Sequence, residues 1–289
     1  MKRSIVMVAS CLLVSAVMVS CGPKSPFPGY KVTDNGLYYK QITKGTGEQI
    51  KNGDVVKIDL AYYINDSLIY TTDSLPEQAY DMVRESAFPG DLYDGFRLMH
   101  VGDSMSFMIN TDSVFLKQFR VPQLPEFAIP GSYMRWEVKA SEAMTEEEYQ
   151  KMKEEQAAAL QQASKDAFAA YLKENGIETP ATESGLIYVC TQPGKGPKPA
   201  ANQMVKVHYT GRLLDGTVFD SSIDRGEPIE FSLGTHQVIP GWDEGIALMS
   251  KGEKGILYIP YELAYGQRAT GPIPAYSNLV FEVELVDFK

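Results

Sequence analysis

The feature that most constrains this chain is an internal repeat. NGLYYKQITKGTG begins at Asn35, and SGLIYVCTQPGKG begins at Ser184, 149 residues further on. Gly36, Leu37, Tyr39, Gly45 and Gly47 fall on Gly185, Leu186, Tyr188, Gly194 and Gly196. VVKIDLAYYINDSLIYTTD continues in the same register with MVKVHYTGRLLDGTVFDSS. One residue further apart, DLYDGFRLMHVGDSMSFMI meets GWDEGIALMSKGEKGILYI, and MRWEV near Met134 echoes LVFEV near Leu279. A repeat of this length implies two copies of one fold, over residues 30–142 and 178–289. A chain of 289 residues has room for both and for their linkers.

Within the second copy the signal is alternation. Met204, Lys206, His208 and Thr210 fall on one face of a strand, and Val205, Val207 and Tyr209 on the other. Leu279 to Val286 reads as an apolar, β-rich strand. The only short helix signal is GWDEGIALM, just after Pro240. Several antiparallel strands with one short helix give an α+β roll, a curved sheet wrapped around a helix. Between the copies, residues 143–177 read as a long helix. Thr145 and Glu148 form a capping box, acids fill the first turn, and neither Gly nor Pro interrupts until Gly176. Its larger apolar side chains are sparse: Tyr149, Met152, Leu160, Phe168 and Leu172. A solvated spacer and a helix packed on one domain or on a second chain are both consistent with that spacing.

The first residues are not fold. Lys2 and Arg3 precede an apolar run from Ile5 to Val19, too short for a comfortable membrane span. Met18-Val19-Ser20-Cys21 resembles the site at which bacterial lipoproteins are lipidated on Cys and cut just before it. Residues 1–20 are therefore expected to be a lipoprotein signal peptide, Cys21 the lipidation site, and residues 21–29 a flexible Pro/Gly tether. That places the mature protein outside the cytoplasm, lipid-anchored to a bacterial membrane, with the periplasmic side of the outer membrane as the expected face. Cys11 leaves with the signal and Cys21 would be acylated, so only Cys190 remains and no intramolecular disulfide is expected. In the alternating GLIYVC stretch Cys190 reads as a small buried strand residue. No metal or other cofactor is expected, because the three His have no ligand spacing to Cys or to one another. The net charge of −10, without a basic face, argues against nucleic acid as partner.

GLIYVC, VKVHYTGRLLDGTVFDSS, VIPGWDEGIALMSKGEKGILYIP, YELAYGQRATGPIP and LVFEVELVD follow one another over residues 185–287. This order resembles the FKBP family of peptidyl-prolyl cis-trans isomerases, over the last third of the chain. The resemblance implies two FKBP-like rolls joined by the long helix. It also implies a site without metal or nucleophile: a dry aromatic cup that favours a twisted X–Pro amide. Carried over residue by residue, Trp242 would be the floor under the proline ring, and Phe219, Tyr209 and Phe281 the walls. The Ile239 backbone N–H and the Tyr265 hydroxyl would hold the flanking carbonyls. Asp220 would stand at the edge, oriented by Tyr209 and Arg225, with Val238 and Ile273 completing the substrate contacts. Ile229 takes an aromatic position of some relatives, and GQRATGPIP is a shortened loop. These nine pocket positions and Arg225 lie within residues 205–281, so a fragment of residues 180–289 is expected to hold the activity.

In the register of the repeat, Leu60, Tyr70, Thr71, Leu92 and Trp136 stand where the second copy has Tyr209, Phe219, Asp220, Trp242 and Phe281. The first copy is therefore expected to be a degenerate, non-catalytic domain, open to client binding or to self-association, including a homodimer. The expected function is isomerisation of X–Pro bonds in unfolded or nascent exported polypeptides, with macrolide inhibitors of the family as further ligands. The rival is a holdase chaperone in which the cup is a client-binding site.

Overall fold

The computed structural model describes residues 25–289. The expected signal peptide and Cys21 lie outside those residues. The chain divides into two compact units, residues 1–151 and 152–289.

In the first unit β1 (Lys31–Val32), β2 (Tyr38–Thr43), β3 (Val55–Ile64), β4 (Ser67–Thr71) and β5 (Ala79–Met82) precede a short helix, α1 (Leu92–Phe96). Then come β6 (Ser104–Asn110), the helical turn α2 (Thr111–Ser113) running into a π-helical turn (Val114–Gln118), and β7 (Tyr133–Met144). The sheet is antiparallel in the order β1-β2-β6-β7-β3-β4, with β5 pairing the first half of β3. Its concave face holds Leu92, Phe96 and Met99 from α1 and the turn after it, against Phe107, Met134 and Trp136. Residues 25–29 belong to the segment read as a tether, and there Phe27 packs edge-on to Tyr38 and Tyr133 at 5.0 and 5.1 Å.

The helix α3 (Glu146–Glu174) follows. The capping box is formed: the Thr145 N–H donates to Glu148 Oε2 at 2.8 Å, and the Glu148 N–H to Thr145 Oγ1 at 3.2 Å. In the first unit Tyr149 of this helix lies against Tyr80. From Ser164 onward it is no solvated spacer. Ser164 and Phe168 are buried, and Phe168, Tyr171 and Leu172 pack on Ile187, Tyr258 and Val280 of the second unit.

The second unit repeats the first. Its elements are β8 (Ile187–Gln192), β9 (Met204–Leu213), β10 (Val218–Ser221), α4 (Ser222–Arg225), β11 (Ile229–Ser232), α5 (Pro240–Ala247), β12 (Lys254–Ile259) and β13 (Leu279–Phe288). The strand order β8-β12-β13-β9-β10, with β11 beside β10 on β9, is that of β2-β6-β7-β3-β4 with β5. Each unit is thus an α+β roll, as the alternation and the single helix signal imply. One face of this sheet carries α5; the other carries the last turns of α3. Gly245 makes the first contact possible, since a Cβ there would lie 2.5 Å from Leu257 Cδ2. A fragment starting at residue 180 lacks Phe168, Tyr171 and Leu172, and so uncovers Ile187, Tyr258 and Val280.

Cys190 is exposed, not buried. It sits near the far end of β8, the outer strand of the sheet, where burial gives out along Ile187, Tyr188 and Val189. An edge strand covers its side chains only as far as its neighbours extend.

Candidate functional site

The open end of the second roll encloses a cavity of about 250 Å³ lined by Tyr209, Phe219, Asp220, Ile229, Gln237, Val238, Ile239, Trp242, Tyr265 and Phe281. Three elements build it. The strands β9 and β13 lie side by side and supply Tyr209 and Phe281. The β10 strand, on the other edge of β9, supplies Phe219 and Asp220. Pro240 fixes the start of α5, which puts Trp242 in its first turn, facing the sheet. The indole is buried and meets Tyr209 and Phe281 edge-on at 4.8 and 5.2 Å. Phe219 meets Phe281 edge-on at 5.5 Å. Edge-to-face contacts of this kind hold each ring at a fixed angle and leave the ring faces as walls.

The cup is open because residue 211 is glycine. A Cβ at Gly211 would lie 2.6 Å from Phe219 Cζ and 2.7 Å from Phe281 Cε1. Gly211 pairs with Phe281 across β9 and β13. A glycine inside a strand weakens it, and close approach of other groups is one reason for it to stand there. Sequence reading passed over Gly211 and Gln237. The mid-strand glycine in HYTGRLL was the available signal for the first; no sequence signal pointed to the second.

The polar edge is an ordered triad. Tyr209 Oη donates to Asp220 Oδ2, the Arg225 guanidinium donates to Asp220 Oδ1, and Arg225 Nη2 donates to Tyr209 Oη at 2.8 Å. Partial burial opposes ionisation of Asp220, but the Tyr209 hydroxyl and Arg225 outweigh it and hold the carboxyl below its ordinary range. Burial, with the hydrogen bond to Asp220, raises Tyr209 above the usual phenol value. Burial and the Asp220 charge raise Tyr265 likewise. Both phenols are therefore donors at neutral pH. The Ile239 N–H carries no hydrogen bond to another described residue, while the Ile239 carbonyl accepts from the Trp242 N–H at 2.9 Å. Arg225 braces the wall from outside, and Ile273 is buried in the core rather than in the lining. The other eight expected residues converge on the cavity.

A cleft of about 300 Å³ lies beside the opposite face of β9, between His208, Thr210, Lys254, Glu282 and Glu284. Ile223, Ile256 and Val283 also line it, but Tyr209 is its only aromatic residue, so it lacks the set of rings that walls the cup.

The equivalent place in the first unit is filled. Leu60 and Trp136 stand where Tyr209 and Phe281 do, as the repeat predicts, but the register of β4 differs from that prediction. Thr72 Oγ1 accepts the Leu60 N–H at 2.9 Å, and Ser222 Oγ accepts the Tyr209 N–H at 2.7 Å. Thr72 therefore matches Ser222, so Tyr70 matches Asp220 and Ile69 matches Phe219. The shift arises in the hairpin. Asn65 and Asp66 turn β3 into β4 with both φ positive, whereas Leu214, Asp215 and Gly216 turn β9 into β10 with one residue more. Gly211 is matched by Tyr62, whose ring lies 4.7 Å from Trp136 and stacks on Tyr70 at 5.5 Å.

The family model for FKBP-type peptidyl-prolyl cis-trans isomerases matches residues 196–286, all within the second roll. The FKBP-type peptidyl-prolyl cis-trans isomerase FkpA of Aeromonas hydrophila is 48% identical over 158 residues, 50% of this chain and 58% of its own length. The FKBP-type 22 kDa peptidyl-prolyl cis-trans isomerase of Escherichia coli is 53% identical over 120 residues, 40% of this chain and 57% of that protein. This chain thus spans little more than half of either bacterial relative. FK506-binding protein 2 of Debaryomyces hansenii is 58% identical over 90 residues, 31% of this chain and 67% of that protein. On the motifs, the cavity and these matches together, the chain belongs to the family of FKBP-type peptidyl-prolyl cis-trans isomerases.

Proposed function

We propose that the second roll isomerises X–Pro peptide bonds in unfolded or newly exported polypeptides. The observation that carries this reading is the aromatic cup over Trp242, with a fixed carboxylate and an uncommitted backbone N–H at its rim. Rotation about the X–Pro bond crosses a barrier of about 18–20 kcal/mol set by amide resonance. The twisted amide loses that resonance, so its carbonyl carries less charge and is less solvated than in the planar form. An apolar cup costs the twisted form less desolvation than the planar one, which is differential binding of the transition state. In this reading the proline ring rests on Trp242 between Phe219, Tyr209 and Phe281. The Ile239 N–H and the Tyr265 hydroxyl take the flanking carbonyls. No proton needs to move. Macrolide inhibitors of the family compete for the same cavity. A protease-free isomerisation assay on a short X–Pro peptide tests the reading, and a folded protein with no rate above background overturns it.

The chain is also proposed to be exported and anchored by lipid at Cys21, on the strength of the basic start, the apolar run and the Met18-Val19-Ser20-Cys21 box. Cys21→Ser should abolish fatty-acid labelling and leave unprocessed precursor; normal cleavage and membrane association in that variant would remove the anchor. A second reading concerns the first roll. Tyr70 and Phe119 flank Tyr62, Phe127 lies 6.0 Å from Phe115, and Tyr70, Phe119 and Phe127 are exposed. That surface supports the holdase role for the first roll, in addition to the isomerase and not in its place.

A further inference from the structure

Ser164 is an unexpected residue for its place. It stands in a helix rich in Ala, Gln, Lys and Glu, it is 8% exposed, and its hydroxyl bonds outside the helix. Serine in a helix interior is neutral or unfavourable unless its side chain finds a partner elsewhere. Here Ser164 Oγ donates to the Tyr276 carbonyl at 2.7 Å. The buried Asn278 amide donates to both the Ser164 carbonyl and Ser164 Oγ, at 2.8 and 2.9 Å. The same amide accepts the Tyr261 N–H on its Oδ1 at 2.9 Å.

Tyr261 and Tyr276 are the two ends of the loop that carries Tyr265. Their rings meet edge-on at 5.5 Å. Inside the loop, the Gly266 N–H donates to the Tyr261 carbonyl at 3.0 Å, and the Tyr276 N–H to the Gly266 carbonyl at 2.8 Å. A continuous path of hydrogen bonds therefore runs from α3 to the residue next to Tyr265. The loop has a 3-10 turn at Tyr261–Leu263 and a Thr270–Ile273 bridge of its own; the ties to Ser164 fix where its two ends sit against α3.

We propose that Ser164 and Asn278 are positioning residues for the isomerase site. They fasten the loop 261–276 to α3 and so hold the Tyr265 hydroxyl at the rim of the cup. This rests on the isomerase reading of that cup. An untied loop samples several positions, and substrate then meets the competent one only part of the time. Apparent affinity falls by that fraction while the rate of the bound complex is kept.

The test is Ser164→Ala, Tyr265→Phe and the double variant in the full chain, assayed on a short X–Pro peptide. Ser164→Ala should raise KM about fivefold with kcat nearly unchanged, and Ser164→Thr, which restores the hydroxyl, should recover most of it. In the Tyr265→Phe background the same change should cost less than about 1.5-fold, because the group it positions is gone. Amide exchange at Gly266 and Tyr276 should quicken about tenfold or more in Ser164→Ala, while Val283 in β13 keeps its protection. Additive losses in the double variant, or a uniform rise in exchange across the roll, would overturn the positioning role and leave the isomerase reading intact. An inactive wild-type chain would remove the isomerase reading and this role with it.

Discussion

The two rolls share a sheet order, a helix and a core, and differ where one is hollow and the other solid. Gly211 leaves room between Phe219 and Phe281; Tyr62 at the same place fills it and stacks on Tyr70. Phe96 and Met99 hold the first core as Ile246 and Met249 hold the second. The lesson is that the core and the cup are separable. Residues near the centre of the sheet stay apolar and buried, though not equal in size (Phe96 against Ile246, Phe107 against Leu257), because the helix must pack there. Residues at the open end differ, and the first roll closes there with Tyr62 in place of Gly211 without any change of sheet order.

The comparison breaks most sharply at residue 211. Gly211→Tyr should lower kcat/KM about a hundredfold or more, on the order of 2.7 kcal/mol in barrier, with a cooperative melt retained. Near-normal turnover in the folded variant would show that the open cup is not the site. Asp220→Ala sharpens the contrast with Tyr70. It should cost about tenfold in kcat/KM with little change in melting temperature, since Asp220 is partly exposed and lies off the core. A loss of activity that tracks unfolding would instead make Asp220 a structural residue. The smallest effect expected is that of pH. Asp220 is held below its ordinary value, so its carboxylate persists until pH falls through that lowered value; its contribution to stability is present above the unfolded value and lost on the same descent. Tyr209 is raised, so its proton stays on through the neutral range. The isomerisation rate should be flat from about pH 5 to pH 9. A bell-shaped profile within that window would mean that a proton transfer limits the rate.

Much of this was legible in the sequence because the repeat sets two readings side by side. Alternation in VKVHY gave β9, Pro240 gave the start of α5, and the motif order gave eight residues of the cavity wall. Other features depend on what the sequence does not encode locally. The register of β4 turned on a single residue in a hairpin, and one residue moves every side chain along by a place. Cys190 is exposed because β8 is the outer strand, which is a fact of topology, not of its alternation. The docking of α3 joins Phe168, Tyr171 and Leu172 to the sheet and Ser164 to Asn278, more than a hundred residues away, and so short an apolar stripe does not say which surface it covers.

The position of β13 has a consequence in time. It lies between β12 and β9, and it supplies Phe281 to the cup and Val280 to the face that receives Phe168. A chain delivered N-terminus first therefore completes the first roll, and holds it complete, well before the second can close. Until β13 inserts, Phe168, Tyr171 and Leu172 have no finished surface to rest on, and the cup lacks a wall. Any slow proline step in the chain's own folding must pass unassisted by the molecule in which it occurs.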